Sequence, residues 1–172
     1  MADGWLVRER ESWVAHNAIV TGWVDLAPEV NVWYGASIRG DEAKIRIGAR
    51  TNLQDNVVAH CDPGADLTVG EDCTIGRGAI LHRTKIGRRC LVGIGAILLQ
   101  KSEIGDECLI GAGAVVTEGM KVPPRSVVLG VPGKVVRPVT DAEVKTILAS
   151  AKGYVDLAMR TCGGVHRRVS PA

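Results

Sequence analysis

Two histidines stand in corresponding places of a repeating pattern, His60 directly after Ala59 and His82 directly after Leu81. The middle of the chain beats every six residues, and the repeats that begin at 59 and 81 are three apart. Three short strands closing one coil would put both imidazoles on the same outer face, one above the other at a strand spacing of roughly 4.8 Å. Two imidazoles so placed suit a divalent metal or a shared acid and base role. His16 and His166 fall outside that register. The same frame places Gln54 one wall earlier, with Arg77 on Gln54's wall and one coil up. A prism is too thick for side chains on different outer walls to meet within one chain. Convergence with the histidines therefore requires a second prism alongside, as around a threefold axis. Leu99 stacks above His82 as an apolar cap. Taken singly, each of these polar residues also fits a solvated surface.

The elements that must hold these groups are written in the repeat itself. Ile86, Val92, Leu98, Ile104, Ile110, Val116, Val122 and Val128 are aliphatic at intervals of six, and glycine follows four of them, at 87, 93, 105 and 111. A small residue follows four places after the aliphatic one, at Thr51, Val57, Cys73, Ala79, Cys90, Ala96, Ser102, Cys108 and Ala114. This predicts a narrow three-walled solenoid with one large side chain per corner, and glycine where the backbone bends. The frame extends upstream through Ile47, Leu53, Ala59, Val69, Ile75 and Leu81, and loosely through Val24, Val30 and Ala36. Four extra residues between Ala59 and Val69 place a turn at Cys61-Asp62-Pro63-Gly64. One residue is missing between Leu81 and Ile86. Arg39-Gly40-Asp41-Glu42 breaks the beat and reads as a loop. The solenoid is expected over about residues 16 to 138.

After Pro138 the pattern changes. Thr140-Asp141-Ala142-Glu143 is a capping box, and Val144, Ile147, Leu148, Ala151, Val155, Ala158 and Met159 follow at helical spacing. One amphipathic helix over 140–160 should lie along a prism face, of its own or a neighbouring subunit, with 161–172 as a frayed tail. The 172 residues form a single domain, mainly β with a C-terminal α-helix. A formal charge of +2, no basic run and six aromatic residues leave no footprint of nucleic acid or a membrane surface. The first ten residues carry acids and no long apolar run, so a cytoplasmic location is expected. Of the five cysteines, Cys73, Cys90 and Cys108 should form a buried vertical ladder of reduced thiols. Cys61, in the extra loop, is expected to reach the surface.

Several stretches resemble the gamma-class carbonic anhydrase family. Val32-Trp33-Tyr34-Gly35-Ala36-Ser37-Ile38-Arg39-Gly40-Asp41 and Thr51-Asn52-Leu53-Gln54-Asp55-Asn56-Val57-Val58-Ala59-His60 carry its specific motifs. Thr74 to His82, Val122-Pro123-Pro124-Arg125-Ser126 and Val131-Pro132-Gly133-Lys134-Val135-Val136 extend the likeness over nearly the whole chain, the last being shared with hexapeptide acyltransferases. The resemblance implies a left-handed parallel β-helix, a homotrimer, and active sites at subunit interfaces. It also implies zinc or another divalent metal held by three histidines, two from one subunit and one from its neighbour. His60 and His82 match the first two. Arg39 and Asp41 match an interface pair, and Gln54, accompanied by Asp55, the residue that orients the reactive water.

The third ligand position is Arg77. A guanidinium stays protonated and has no lone pair to give, so Arg77 is no substitute for imidazole. The family reaction, reversible hydration of carbon dioxide to bicarbonate, is therefore expected to be weak or absent unless Cys61 or a carboxylate such as Asp62 replaces the ligand. Arg77 facing the histidines across an interface would instead suit a small anion such as bicarbonate or a carboxylate. The alternative expectations are a metal-free protein: a thioesterase-like enzyme acting on coenzyme A adducts with Arg77 stabilising an oxyanion, or a noncatalytic trimeric scaffold. A hexapeptide acyltransferase is the third.

Overall fold

One branched aliphatic and one small residue per repeat leave room inside for a single file of large side chains, and the interior is built that way. Val32, Leu53, Ile75, Val92, Ile110 and Val128 stack inward from one wall, Ile38, Ala59, Leu81, Leu98 and Val116 from the next, and Ile47, Val69, Ile86, Ile104 and Val122 from the third, all buried. The small positions from Thr51 to Ala114 are buried as well. The computed structural model describes residues 6–9 and 11–162. Its body is a left-handed parallel β-helix of about six turns, mainly of two- and three-residue strands.

The first wall stacks Ser12–Ala15, Asn31–Val32, Asn52–Leu53, Thr74–Ile75, Leu91–Val92, Leu109–Ile110 and Ser126–Leu129 in parallel. Antiparallel strands Leu6–Glu9 and Lys134–Pro138 close its two ends. Stacking thus begins at Ser12, ahead of the expected residue 16. The second and third walls are joined through Ser37–Ile47, an eleven-residue strand that turns the corner without a break. The expected loop at Arg39-Gly40-Asp41-Glu42 is that corner, because the ladder to Ile19–Leu26 runs through it with one shift of register between Gly22 and Val24. The turn at Pro63-Gly64 is present.

Glycine serves a different purpose from the one expected. A Cβ on Gly93 would lie 2.5 Å from the amide nitrogen of Ala112 on the next coil, so this glycine is required by close vertical stacking. The bend itself falls three residues after the aliphatic position. There φ is positive at Gly95 and equally at Asn56, Asp72, Arg89, Lys101, Glu107 and Arg125.

The C-terminal helix, Asp141–Cys162, runs two residues past the expected end. Residues 163–172 of the expected tail lie outside the described residues. The Thr140 hydroxyl accepts from the Glu143 amide at 3.2 Å while the Glu143 carboxylate accepts from the Thr140 amide at 2.9 Å, the anticipated capping box. The helix docks on the first wall of its own chain, with Val155 and Ala158 buried against Trp13, Ala15 and Trp33.

Candidate metal centre

His60 ends the strand Val58–His60, and His82 ends Ile80–His82 one coil above. They are direct register partners, and their rings stack with centroids 5.9 Å apart and planes 21° from parallel. This is the juxtaposition the repeat frame predicts. Below them in the same column lies Arg39, the register partner of His60. His60 donates from Nε2 to Asp41 Oδ1 at 3.1 Å, and His82 donates from Nε2 to Asp62 Oδ2 at 3.1 Å. A carboxylate only accepts, so in each ring Nε2 carries the proton. Asp41 is also held by Arg39 at 3.2 Å. Asp62 pairs with no lysine or arginine among the described residues; its ion-pair partner is His82.

The ligand atoms of His60, Asp62 and His82 all lie within 4.8 Å of one another. Two imidazoles and one carboxylate are a donor set that zinc and other divalent ions accept. At a tetrahedral ion with bonds of about 2.0–2.1 Å, the donor atoms lie roughly 3.3 Å apart. The Asp62 to His82 separation already meets that spacing, and the side chains present therefore fit a metal. Cys61 does not join them. Its side chain is buried and its thiol points inward to the Ala43 carbonyl at 3.1 Å, contrary to the expectation of a surface thiol. Burial also pushes its pKa up. A residue in the extra loop still follows the inward alternation of the strand before it, which explains the reversal.

Gln54 and Arg77 lie elsewhere. They occupy the opposite edge of the second wall, where the chain leaves the first wall, separated from the histidines by the outward residues Val58 and Ile80. Gln54 is buried; its amide donates to Asn52 at 3.2 Å and its carbonyl accepts from Arg77 at 2.9 Å. Arg77 has all three guanidinium nitrogens engaged in its own chain: Asp55 at 3.1 Å, Gln54 at 2.9 Å and the Tyr154 hydroxyl at 3.0 Å. It joins the solenoid to the helix. Tyr154 was not among the expected site residues, because helical periodicity does not say where on the wall a helix lands.

The cysteine ladder is as expected. Cys73, Cys90 and Cys108 are buried, and each thiol donates at 3.1 Å to a carbonyl of the coil above, of Gly87, Gly105 and Pro123. The Cys108 thiol is pushed well up, first by its pairing with Cys90 and then by burial, so these groups are core.

Residues 83–118 match the family described as bacterial transferase hexapeptide (six repeats). A probable carbonic anhydrase of Methanocaldococcus jannaschii is 46% identical over 145 residues, covering 84% of this chain and 91% of that protein. The chain belongs to the gamma-class carbonic anhydrase family. A carbonic anhydrase of Geobacillus kaustophilus is 37% identical, covering 84% of this chain and 80% of that one. The crystal structure of a putative acetyltransferase of Bacillus cereus superposes with a TM-score of 0.88 at 34% identity, covering 90% of each chain. The gamma carbonic anhydrase fold is thus shared with proteins described as transferases. Among the described residues, no helix is long and apolar enough to cross a membrane.

Proposed function

We propose that this chain is a gamma carbonic anhydrase-like homotrimer that holds a divalent metal at His60 and His82 and interconverts carbon dioxide and bicarbonate slowly. The observation that carries the reading is the stacked histidine pair at a wall edge, with both Nε2 atoms turned outward to carboxylates. A divalent ion bound there supplies Lewis acidity toward water and carbon dioxide. Arg39 holds Asp41, and Asp41 in turn fixes the His60 ring. Arg39, one rung below His60 in the same column, also offers a cation to a bicarbonate anion. Slow turnover is expected because position 77, where the resemblance calls for an imidazole, carries a guanidinium.

Two features support the trimer. The second wall is apolar on its outer face, and it separates two polar groups, one of them the histidine column and the other Gln54 with Arg77. Packing that wall against the edge of a second copy brings Gln54 of one chain toward the histidines of the next, in the orienting role the resemblance implies. Asp55 already balances the charge of Arg77, which leaves it poorly placed as an oxyanion donor in thioester hydrolysis. Acyl transfer fares no better, since the groove between the helix and the first wall, lined by Leu91, Ile94, Leu109, Ser150 and Tyr154, contains no histidine to act as base.

The test is the hydration rate of carbon dioxide by stopped flow, with the full chain loaded with zinc and stripped of it. Zinc-dependent hydration that drops at least about tenfold in His60→Ala is the expected result. A rate indifferent to both zinc and the substitution would end this reading.

A further inference from the structure

Just before its turn, the extra loop after His60 sets a carboxylate, Asp62, against His82, and that carboxylate is the unusual feature of the site. Asp62 comes from the four residues that interrupt the repeat, so nothing in the solenoid pattern requires it there. Its placement is nevertheless fixed from both sides. Cys61 next to it is sunk in the core with its thiol on the Ala43 carbonyl, and Pro63-Gly64 turns the chain immediately after. Between these anchors Asp62 reaches Nε2 of His82 at 3.1 Å, and its ligand atom lies within 4.8 Å of those of both histidines.

From this geometry we infer that Asp62 is the third metal ligand, so that one chain supplies His60, Asp62 and His82 and the site needs no ligand from a neighbour. The inference rests on the metal-binding reading above and deepens it. Three contrasts single out Asp62. Asp41, the other carboxylate at the pair, has its charge shared with Arg39, whereas Asp62 has no arginine or lysine partner among the described residues. Cys61 is buried and directed inward. Arg77, whose position the resemblance gives to the neighbour's ligand, has no lone pair and is tied to Asp55, Gln54 and Tyr154. Binding needs the Nε2 lone pair of both neutral rings, so the ring proton resides on Nδ1 once the ion takes Nε2, and the carboxylate that accepted from His82 becomes a donor to the metal instead.

The experiment is metal binding without catalysis. Cobalt(II) is titrated into the metal-free full chain and followed by its visible absorption and by calorimetry, and zinc is titrated in competition with a chromophoric chelator. The wild-type chain is expected to take up one ion per chain. Asp62→Asn, which keeps size and loses the charged donor, should bind both ions at least about tenfold more weakly, with an unchanged melting temperature in the metal-free state. Asp62→Asn binding as tightly as wild type while His82→Asn does not would overturn Asp62 as a ligand and leave the histidine site standing. A wild-type chain that takes up neither ion overturns both the inference and the metal reading beneath it.

Discussion

The second and third walls share a backbone and an interior, and present opposite chemistry to the outside. Outward positions in register on the second wall are Ile19, Ser37, Val58, Ile80, Ile97 and Val115. On the third they are Arg46, Thr68, Lys85, Glu103 and Lys121. Ile80 is 39% exposed and Ile19 57%, while the third wall is laced with ion pairs such as Arg46–Asp66 and Lys121–Glu103. Solvated pairs of this kind add little stability each, but they keep a face in water. The contiguous apolar run from Val58 to Val115 does the reverse and is the face on which the proposed trimer would pack. The repeat specifies the inside of a coil equally on every wall; the residue that points outward decides whether that wall meets solvent, the helix or another chain.

The largest effect should come from putting a charge on the apolar column. Ile80→Asp should reduce the mass in solution by sedimentation from that of a trimer to that of one chain. Because residue 80 is outside the core, each separated chain should keep its fold by circular dichroism, with an apparent stability lowered by the loss of subunit association. Lys85→Asp on the third wall should leave the mass unchanged. Equal behaviour of the two variants would remove the distinction between the walls. A middle effect is expected on the first wall, where Tyr154→Phe removes the hydroxyl that Arg77 reaches from the solenoid. It should cost about 0.5–1.5 kcal/mol in denaturant unfolding without changing the mass. The smallest effect tests the helix cap. The Arg137 guanidinium, then the Thr140 amide and hydroxyl, hold the Glu143 carboxyl down at about 2 from an ordinary 4.5. A group depressed on folding stabilises above its unfolded value and loses that contribution as pH falls through its folded one. The cap should therefore weaken from about pH 4.5 down to about 2, and Glu143→Gln should flatten that part of the stability profile.

The solenoid was legible because its period is strict: a side chain that must fit a narrow interior confines positions such as Ile75, Val92 and Ile110 to aliphatic residues. The histidine column was legible for the same reason, since counting repeats is equivalent to counting register. What the pattern hid has a common origin. Gly93 looked like a bend and is a contact between coils, because a missing side chain serves either end and sequence alone does not tell which. Cys61 looked exposed because it sits in an insertion, yet the inward alternation of the preceding strand carries through it. The Arg39-Gly40-Asp41-Glu42 corner looked like a loop, although a strand can turn between walls while keeping its ladder. Arg77 showed what it is not, while its partner Tyr154 depended on the landing point of a helix 77 positions further along.

The extra loop that carries Asp62 also separates growth from chemistry. Coils above His82 extend the apolar column but add no ligand, so gain or loss of a whole coil there would alter the height of the molecule and leave the histidine column intact. Gain or loss of residues between Ala59 and Val69 has a different legacy, because that segment alone brings Asp62 to the column. Comparison of chains from different descents should find length variation concentrated toward the top of the rod, and the few residues after His60 varying together with the residue at position 77.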